Sequence, residues 1–292
     1  MKTYLDCIPC FFKQALQAAR IAGVDESTQL LILNETARVL PEFPLESTPP
    51  EMARIIYKLV TRITGVDDPY RIIKERSNRL ALGIYNRLID IMTNSRDRIL
   101  TALELAAAGN IIDFGVKNIP DINEELEKIL ADKTKSITNG GSAFFEYEKF
   151  KSALSRANTI LYLADNAGEI VFDRILIEEI QKNYPDKKLI FAVKEKPAIN
   201  DALLKDALDC GIGEIAEIIS SGSDAPGTLL PYCSQSFLKI FKSADLIISK
   251  GQGNYESLSG SEQPIFYLLI AKCEVIADHI GCQTGDVVLL SD

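Results

Sequence analysis

The chain has 292 residues, enough for one large domain or for two regions sharing a core. Its 47% apolar and 25% charged composition is that of a folded domain and excludes disorder over most of the length. A net charge of −9, from 32 basic and 41 acidic residues, argues against a nucleic-acid binder, because phosphate backbones reward a basic face. It leaves room for a small anion in one locally positive cleft.

The N-terminal stretch MKTYLDCIPCFFKQALQAAR has no long apolar run after its basic start, so it does not read as a signal peptide. The longest apolar stretches, such as 265–271 apart from its Tyr, are too short to span a bilayer. The sequence therefore predicts a cytoplasmic protein that does not use the membrane. Six cysteines (Cys7, Cys10, Cys210, Cys233, Cys273 and Cys282) read as reduced, partly buried thiols, not a disulfide framework. Cys7 and Cys10 make one CxxC at a helix start. Packing or a structural thiol pair is the default there, with a metal or redox role as the alternative. His279 is the single histidine, which excludes a multi-His metal site, and it reads as a structural or surface residue.

The first half reads as helical. Phe11, Phe12, Ala15, Leu16 and Ala19 share one helical face. Thr48, Pro49 and Glu51 form a helix-start signal with Thr48 as N-cap and Glu51 closing a capping box. Asp67-Asp68-Pro69 opens another, followed by Ile73, Leu80, Ile84, Leu88 and Ile91 at helical spacing. A further helix is expected over 97–108, stopped by Gly109. No strand is expected before about residue 110.

The pattern changes near Asn139-Gly140-Gly141, and short apolar runs then alternate with amphipathic segments. Strands are expected at 159–163, 189–193, 215–219 and 246–248, with Ile276 or 287–290 adding more; helices are expected at 169–182 and 201–209. This alternation implies an α/β fold with a Rossmann-like, mostly parallel sheet flanked by helices. The expected organisation is a helical N-terminal region, 1–140, packed on an α/β core, 141–292, that carries the functional site.

Parallel α/β sheets bind ligands at the carboxyl ends of their strands. The segments just past the predicted strands are rich in carboxylates, amides, lysine and glycine. They are Asp165-Asn166-Ala167-Gly168-Glu169, then Lys194 to Asn200-Asp201, then Ser220 to Asp224, then Lys250-Gly251-Gln252-Gly253-Asn254-Tyr255-Glu256. Two carboxylates and an amide oxygen, from Asp165, Asn166 and Asp201, make a hard-oxygen site suited to Mg²⁺ or Mn²⁺, with Co²⁺ or Ni²⁺ tolerated. Zn²⁺ would prefer nitrogen or sulfur ligands. Gly168 allows a tight turn before a helix N-terminus, and Lys250 sets a point charge beside backbone that approaches an anion closely. A metal, a lysine and a helix N-terminus together suit phosphoryl transfer. Each cluster alone also satisfies the chemistry of an ordinary strand-to-helix turn. No P-loop or GxSxG is present, and Gly251-Gln-Gly253 and Gly211-Ile-Gly213 are incomplete or misplaced dinucleotide signals.

The Asp165-Asn166-Ala167-Gly168-Glu169, Asn200-Asp201 and Lys250-Gly251-Gln252-Gly253-Asn254-Tyr255-Glu256 segments resemble the motifs of the damage-control phosphatases. The Ala108-Gly109-Asn110-Ile111-Ile112-Asp113-Phe114-Gly115 segment and the Cys7–Cys10 pair resemble those of the family's stand-alone microbial branch, and Lys74 with Asn78 extends the likeness, so that it covers nearly the whole chain. The resemblance implies a metal-dependent phosphatase acting on small phosphorylated metabolites: damaged purine nucleotides or their precursors in the stand-alone branch, sugar phosphates in others. It implies Asp165, Asn166 and Asp201 as cation ligands and Asp165 and Lys250 as catalytic residues, with Lys250 near the phosphate. It further implies that Asn110 and Asp113 line the same cleft, to which Gly168, Glu169, Asn200, Gly251, Asn254 and Glu256 belong by position. Asp165 is a nucleophile or a base that orients water; the lack of a DxDxT pattern favours direct attack by a metal-bound water. Two other readings stay open: an S-adenosylmethionine-dependent carboxyl methyltransferase, which would want a glycine-rich first loop, and a non-catalytic nucleotide-binding module.

Overall fold

The computed structural model of the chain describes residues 1–110 and 144–291. The predicted boundary at 140–141 therefore lies outside the described residues, as does Asp113. The helices are α1 Cys7–Ile21, α2 Glu26–Val39, α3 Pro49–Thr64, α4 Arg71–Gly83, α5 Tyr85–Thr93 and α6 Arg98–Gly109, then α7 Tyr147–Arg156, α8 Glu169–Asn183, α9 Leu204–Asp209, α10 Gln235–Ser243, α11 Gln252–Leu258 and α12 Glu274–Ile280. The strands are β1 Thr159–Leu163, β2 Lys188–Val193, β3 Glu217–Ser220, β4 Leu246–Lys250, β5 Ile265–Ile270 and β6 Val287–Ser291. Among the described residues no helix is long and apolar enough to cross a membrane.

One six-stranded sheet runs in the order β3-β2-β1-β4-β5-β6. All neighbours are parallel except β5 and β6, which pair antiparallel. Its central strands are apolar runs, as in Ile265–Ile270 where every residue is buried, because helices cover both faces. β1 pairs with β2 on one side and β4 on the other, so the chain reverses its direction of winding between β1 and β4. A crevice opens at the carboxyl ends of two such strands, and this position fixes where the site is built.

The helical region does not stand apart from the sheet. Leu88, Met92, Leu103, Leu105 and Ala106 share one core with Phe150, Tyr162, Phe172, Phe191 and Leu268. α6 is buried along nearly its whole length because its alanines let it lie close to α8. At its end a Cβ on Gly109 would fall 2.9 Å from Phe172. A second core, around Phe11, Ala15, Ala19, Met52 and Ile56, holds α1, α2 and α3 together. The capping box at Thr48 forms as the sequence requires: the Thr48 backbone N–H donates to Glu51 Oε2 at 2.8 Å.

Several boundaries differ from the sequence pattern. The segment expected as one helix from Asp201 begins only at Leu204, because Asp201 pairs with Asn166 in an antiparallel bridge and Asp206 caps the Leu203 N–H at 2.9 Å. β3 starts at Glu217 after a 3₁₀ turn over Ile212–Glu214, and Ile276 lies in α12, not in a strand. The helical run from Ile73 to Ile91 is two helices, α4 and α5, broken at Ile84. The apolar stretch at 265–270, too short for a membrane span, is a sheet strand, β5.

Candidate metal centre at the sheet's carboxyl edge

The chain leaving β1 and the chain following β2 run against each other. Ala202 N–H donates to Asp165 O at 2.8 Å, Ala167 N–H donates to Asn200 O at 2.9 Å, and Asn166 bridges Asp201. This short ladder sets Asp165, Asn166 and Asp201 beside one another at the β1–β4 crevice. Asn200 thus enters the site through its backbone carbonyl. Asn110, at the end of α6, closes the group from the helical side: its Nδ2 donates to Asp165 Oδ2 at 3.0 Å and to Glu169 Oε2 at 2.8 Å. Asn166 Nδ2 donates to Asp165 Oδ2 at 2.8 Å.

Two glycines make this approach possible. Gly168 turns the chain at φ 82° into α8, and its N–H donates to Asn78 Oδ1, which is itself held by Asp206. Gly251 turns at φ 78° after β4, and a Cβ there would fall 1.9 Å from Asp165 Oδ2. Gly251→Ala is therefore expected to destabilise the protein by about 1–3 kcal/mol. Gly253→Ala, whose Cβ meets nothing nearer than 3.4 Å, should stay within about 1 kcal/mol in the same urea unfolding measurement. Equal stabilities for the two variants would contradict the close packing of Asp165 on Gly251.

Beneath the crevice lies a buried charge cluster. Lys250 is fully buried; its Nζ donates to Ala106 O at 3.0 Å, Glu169 Oε1 at 2.5 Å and Asp173 Oδ1 at 2.6 Å. All three ammonium protons are thus engaged within the fold. Burial by itself would lower the Lys250 pKa, but Asp173 and Glu169 hold it raised. Burial likewise pushes Glu169 up, and Lys250 overcomes this and keeps it below the ordinary carboxylate value. Asp173, also held by Tyr162 at 2.7 Å, stays raised to about 6 by burial against the pull of Lys250.

The upper carboxylates lack such compensation. Burial, then Glu169 and Asp201, raises Asp165 to about 8. Burial raises Asp201 to about 6, although Lys194 opposes it from 3.5 Å. Asp201 Oδ2 and Asn110 Oδ1 are buried oxygens without a hydrogen-bond partner. Among the described residues no cluster of three or more His, Cys, Asp or Glu side chains forms a ready metal site. The hard-oxygen set here is two carboxylates and amides, and Asn166 would offer its oxygen by turning its amide over.

Lys194 is a residue of this site that sequence pattern does not single out. It follows β2 as a 4% exposed residue, donates to Gly227 O at 2.5 Å and faces Asp201. Its one signal is position, directly after a buried parallel strand at the same edge as Asp165. Asn254 is fully buried; its Nδ2 donates to Lys250 O at 2.7 Å and Ala164 O at 3.2 Å, which ties the ends of β4 and β1 together. Glu256, on α11, accepts from Gln252 Nε2 at 2.8 Å, and burial raises it to about 7. It lines a cavity of about 520 Å³ with Cys7, Cys10, Cys273 and Gln252. Both members of the CxxC are free thiols, Cys10 exposed and Cys7 half-buried, and burial raises Cys7.

The chain resembles known proteins over its whole length. The damage-control phosphatase ARMT1-like domain matches residues 3–288. A damage-control phosphatase of Pyrococcus horikoshii is 34% identical over 99% of this chain and 98% of that protein. An uncharacterized protein of Methanocaldococcus jannaschii is 40% identical over 98% of this chain and 94% of its own length. The crystal structure of a DUF89 family protein from P. horikoshii superposes with a TM-score of 0.89 at 32% identity, covering 100% of this chain and 99% of the other.

Proposed function

This chain belongs to the damage-control phosphatase family, and from that membership we propose that it hydrolyses small phosphorylated metabolites with a divalent cation held by Asp165, Asn166 and Asp201. The observation that carries the reading is the ladder between 165–167 and 200–202, which gathers hard oxygens at the β1–β4 crevice and leaves Asp201 Oδ2, faced by Lys194 at 3.5 Å, and Asn110 Oδ1 without hydrogen bonds. Mg²⁺, Mn²⁺, Co²⁺ and Ni²⁺ suit such ligands. When bound, the cation supplies charge stabilisation at a phosphate oxygen.

The chain's own residues do the rest. Asp165, oriented by the amides of Asn110 and Asn166, accepts the proton of the water that attacks phosphorus. The bond from phosphorus to the leaving oxygen breaks as the new one forms, and the leaving oxygen is protonated from solvent. Lys194 lies near enough to Asp201 to balance negative charge gathered there. Lys250 acts through Glu169: it fixes the carboxylate that orients Asn110. Gly168, Gly251 and Asn254 shape the backbone beside Asp165, while Asn200 contributes the ladder.

The test is phosphate release from sugar phosphates and nucleotides by metal-stripped protein, with and without Mn²⁺, Co²⁺, Ni²⁺ or Mg²⁺. Cation-dependent release supports the reading. Binding of S-adenosylmethionine or of nucleotides without release would replace it with one of the two alternatives.

The site also predicts a proton linkage. Asp165 holds its proton up to about pH 8 in the metal-free protein, through burial and the neighbouring carboxylates, and a cation must displace it. Manganese affinity measured by calorimetry should therefore rise roughly tenfold per pH unit from about pH 6.5 and level off above about pH 8. A flat profile over that range would count against Asp165 as a ligand.

A further inference from the structure

A second cavity, of about 590 Å³, opens between α3 and the loop after β2. Arg54, Lys58 and Arg62 enter it from one face of α3, at the four-residue spacing that aligns helical side chains. Lys196 enters from the loop. Four cations against the carboxylates of Asp67 and Asp224 make a locally positive groove in a chain of net charge −9.

Arg54 and Lys58 are held in the groove wall, and Arg62 and Lys196 stand exposed at its mouth. Arg54 lies 3.9 Å over the Tyr232 ring and donates through Nη2 to Asp224 Oδ2 at 3.3 Å. Lys58 reaches the same carboxylate at 2.8 Å. Burial would raise Asp224, yet Arg54 and Lys58 hold it below the ordinary value, so this carboxylate is ionised and fixes both cations in the wall. The Glu195 N–H donates to Ser223 O at 3.0 Å, which ties the Lys196 loop to the Asp224 loop. Neither Arg62 nor Lys196 has an ion-pair partner among the described residues.

The groove shares the loop after β2 with the candidate metal centre. Lys196 and Pro197 in its wall lead directly into Asn200-Asp201, and Lys194, two residues earlier, pairs with Asp201 at 3.5 Å. Tyr57 lines the groove and lies near enough to Asp201 for that carboxylate to raise its hydroxyl pKa, after burial and Tyr70.

We infer that this groove is the subsite for a second phosphate of the substrate, with Arg62 and Lys196 as the specificity-determining cations. The inference rests on the phosphatase reading and narrows its substrate class to metabolites carrying two separate phosphoryl groups. Arg suits such a site because its planar guanidinium grips phosphate through two parallel hydrogen bonds.

The test compares fructose 1-phosphate with fructose 1,6-bisphosphate on the full chain reloaded with Mn²⁺, following release of phosphate from carbon 1. The wild type should favour the bisphosphate in kcat/KM by at least about tenfold, the worth of one charge-assisted contact. In Arg62→Ala/Lys196→Ala that ratio should fall to near one, and Arg62→Lys/Lys196→Arg should restore part of it. Wild-type indifference to the second phosphate, or a preference that survives the double alanine variant, would overturn the inference. Calorimetry of both sugars with metal-free protein keeps the two readings apart. Should no substrate release phosphate, tighter binding of the bisphosphate that is lost in the double variant still supports the groove, and equal binding of the two sugars overturns it.

Discussion

Lys250→Met is expected to lower the melting temperature by roughly 6–10 °C, corresponding to a loss of about 3–5 kcal/mol. The ammonium is fully buried and bonds Ala106 O, Glu169 and Asp173, so its removal strands two carboxylates in the interior. Methionine matches the lysine stem in volume, which keeps cavity formation out of the result. The partners identify the cause: adding Glu169→Gln and Asp173→Asn to Lys250→Met should recover most of the stability, because the stranded charges go with the lysine. Phosphate release should stay low in the triple variant, since a neutral amide at position 169 no longer fixes Asn110 as the Glu169 carboxylate does. A Lys250→Met protein that melts with the wild type would show that the cluster is not closed as described.

Asp165→Asn is expected to reduce metal-dependent phosphate release by at least about 10³-fold in kcat/KM, because the proposed mechanism gives this one side chain the roles of both cation ligand and proton acceptor. The same change should raise the stability of the metal-free protein at neutral pH. Asp165 ionises at about 8 when folded, against an ordinary value of 3.8. A carboxylate raised in this way favours the fold most below its unfolded pKa, and that contribution is lost as pH rises from about 4 through about 8. The asparagine variant has no such loss, so its advantage in melting temperature should grow across this window and be absent near pH 3. Loss of activity with a stability advantage is the mark of a site held under strain for function. Activity retained within about tenfold would remove Asp165 from the mechanism.

Much of this architecture is legible in the residues. β1, β2 and β4 announce themselves because both faces are covered and each is an almost unbroken apolar run. Topology alone puts the clusters after these strands at one edge, and Asp165, Asn166 and Asp201 do meet there. β5 is hidden because its six apolar residues carry no alternation that distinguishes a strand from a buried helix. Asp201 followed by an amphipathic stretch looks like a helix cap, and only its bridge to Asn166 shows that it closes the site first.

Lys250 marks the limit more sharply. A lysine after a strand and before glycine suits an anion, but its partners stand 77, 81 and 144 residues away in the sequence, and local pattern holds no trace of them. Lys194 escapes notice for the converse reason: nothing in its neighbourhood distinguishes a lysine that turns inward toward Asp201 from one that turns to solvent. Asn254 reads as a loop amide and is instead the clamp between the ends of β1 and β4.

Everything proposed for the site depends on one divalent cation binding where β1 and β4 part. Anomalous diffraction at the manganese edge, from crystals of the full chain grown with Mn²⁺, would locate that cation without reference to any substrate. A strong peak bonded to oxygens of Asp165, Asn166 and Asp201 is expected, and it should vanish in Asp165→Asn. A peak confined to the thiol-lined cavity beside Cys7, Cys10 and Cys273, or no peak at saturating Mn²⁺, would contradict the proposed centre.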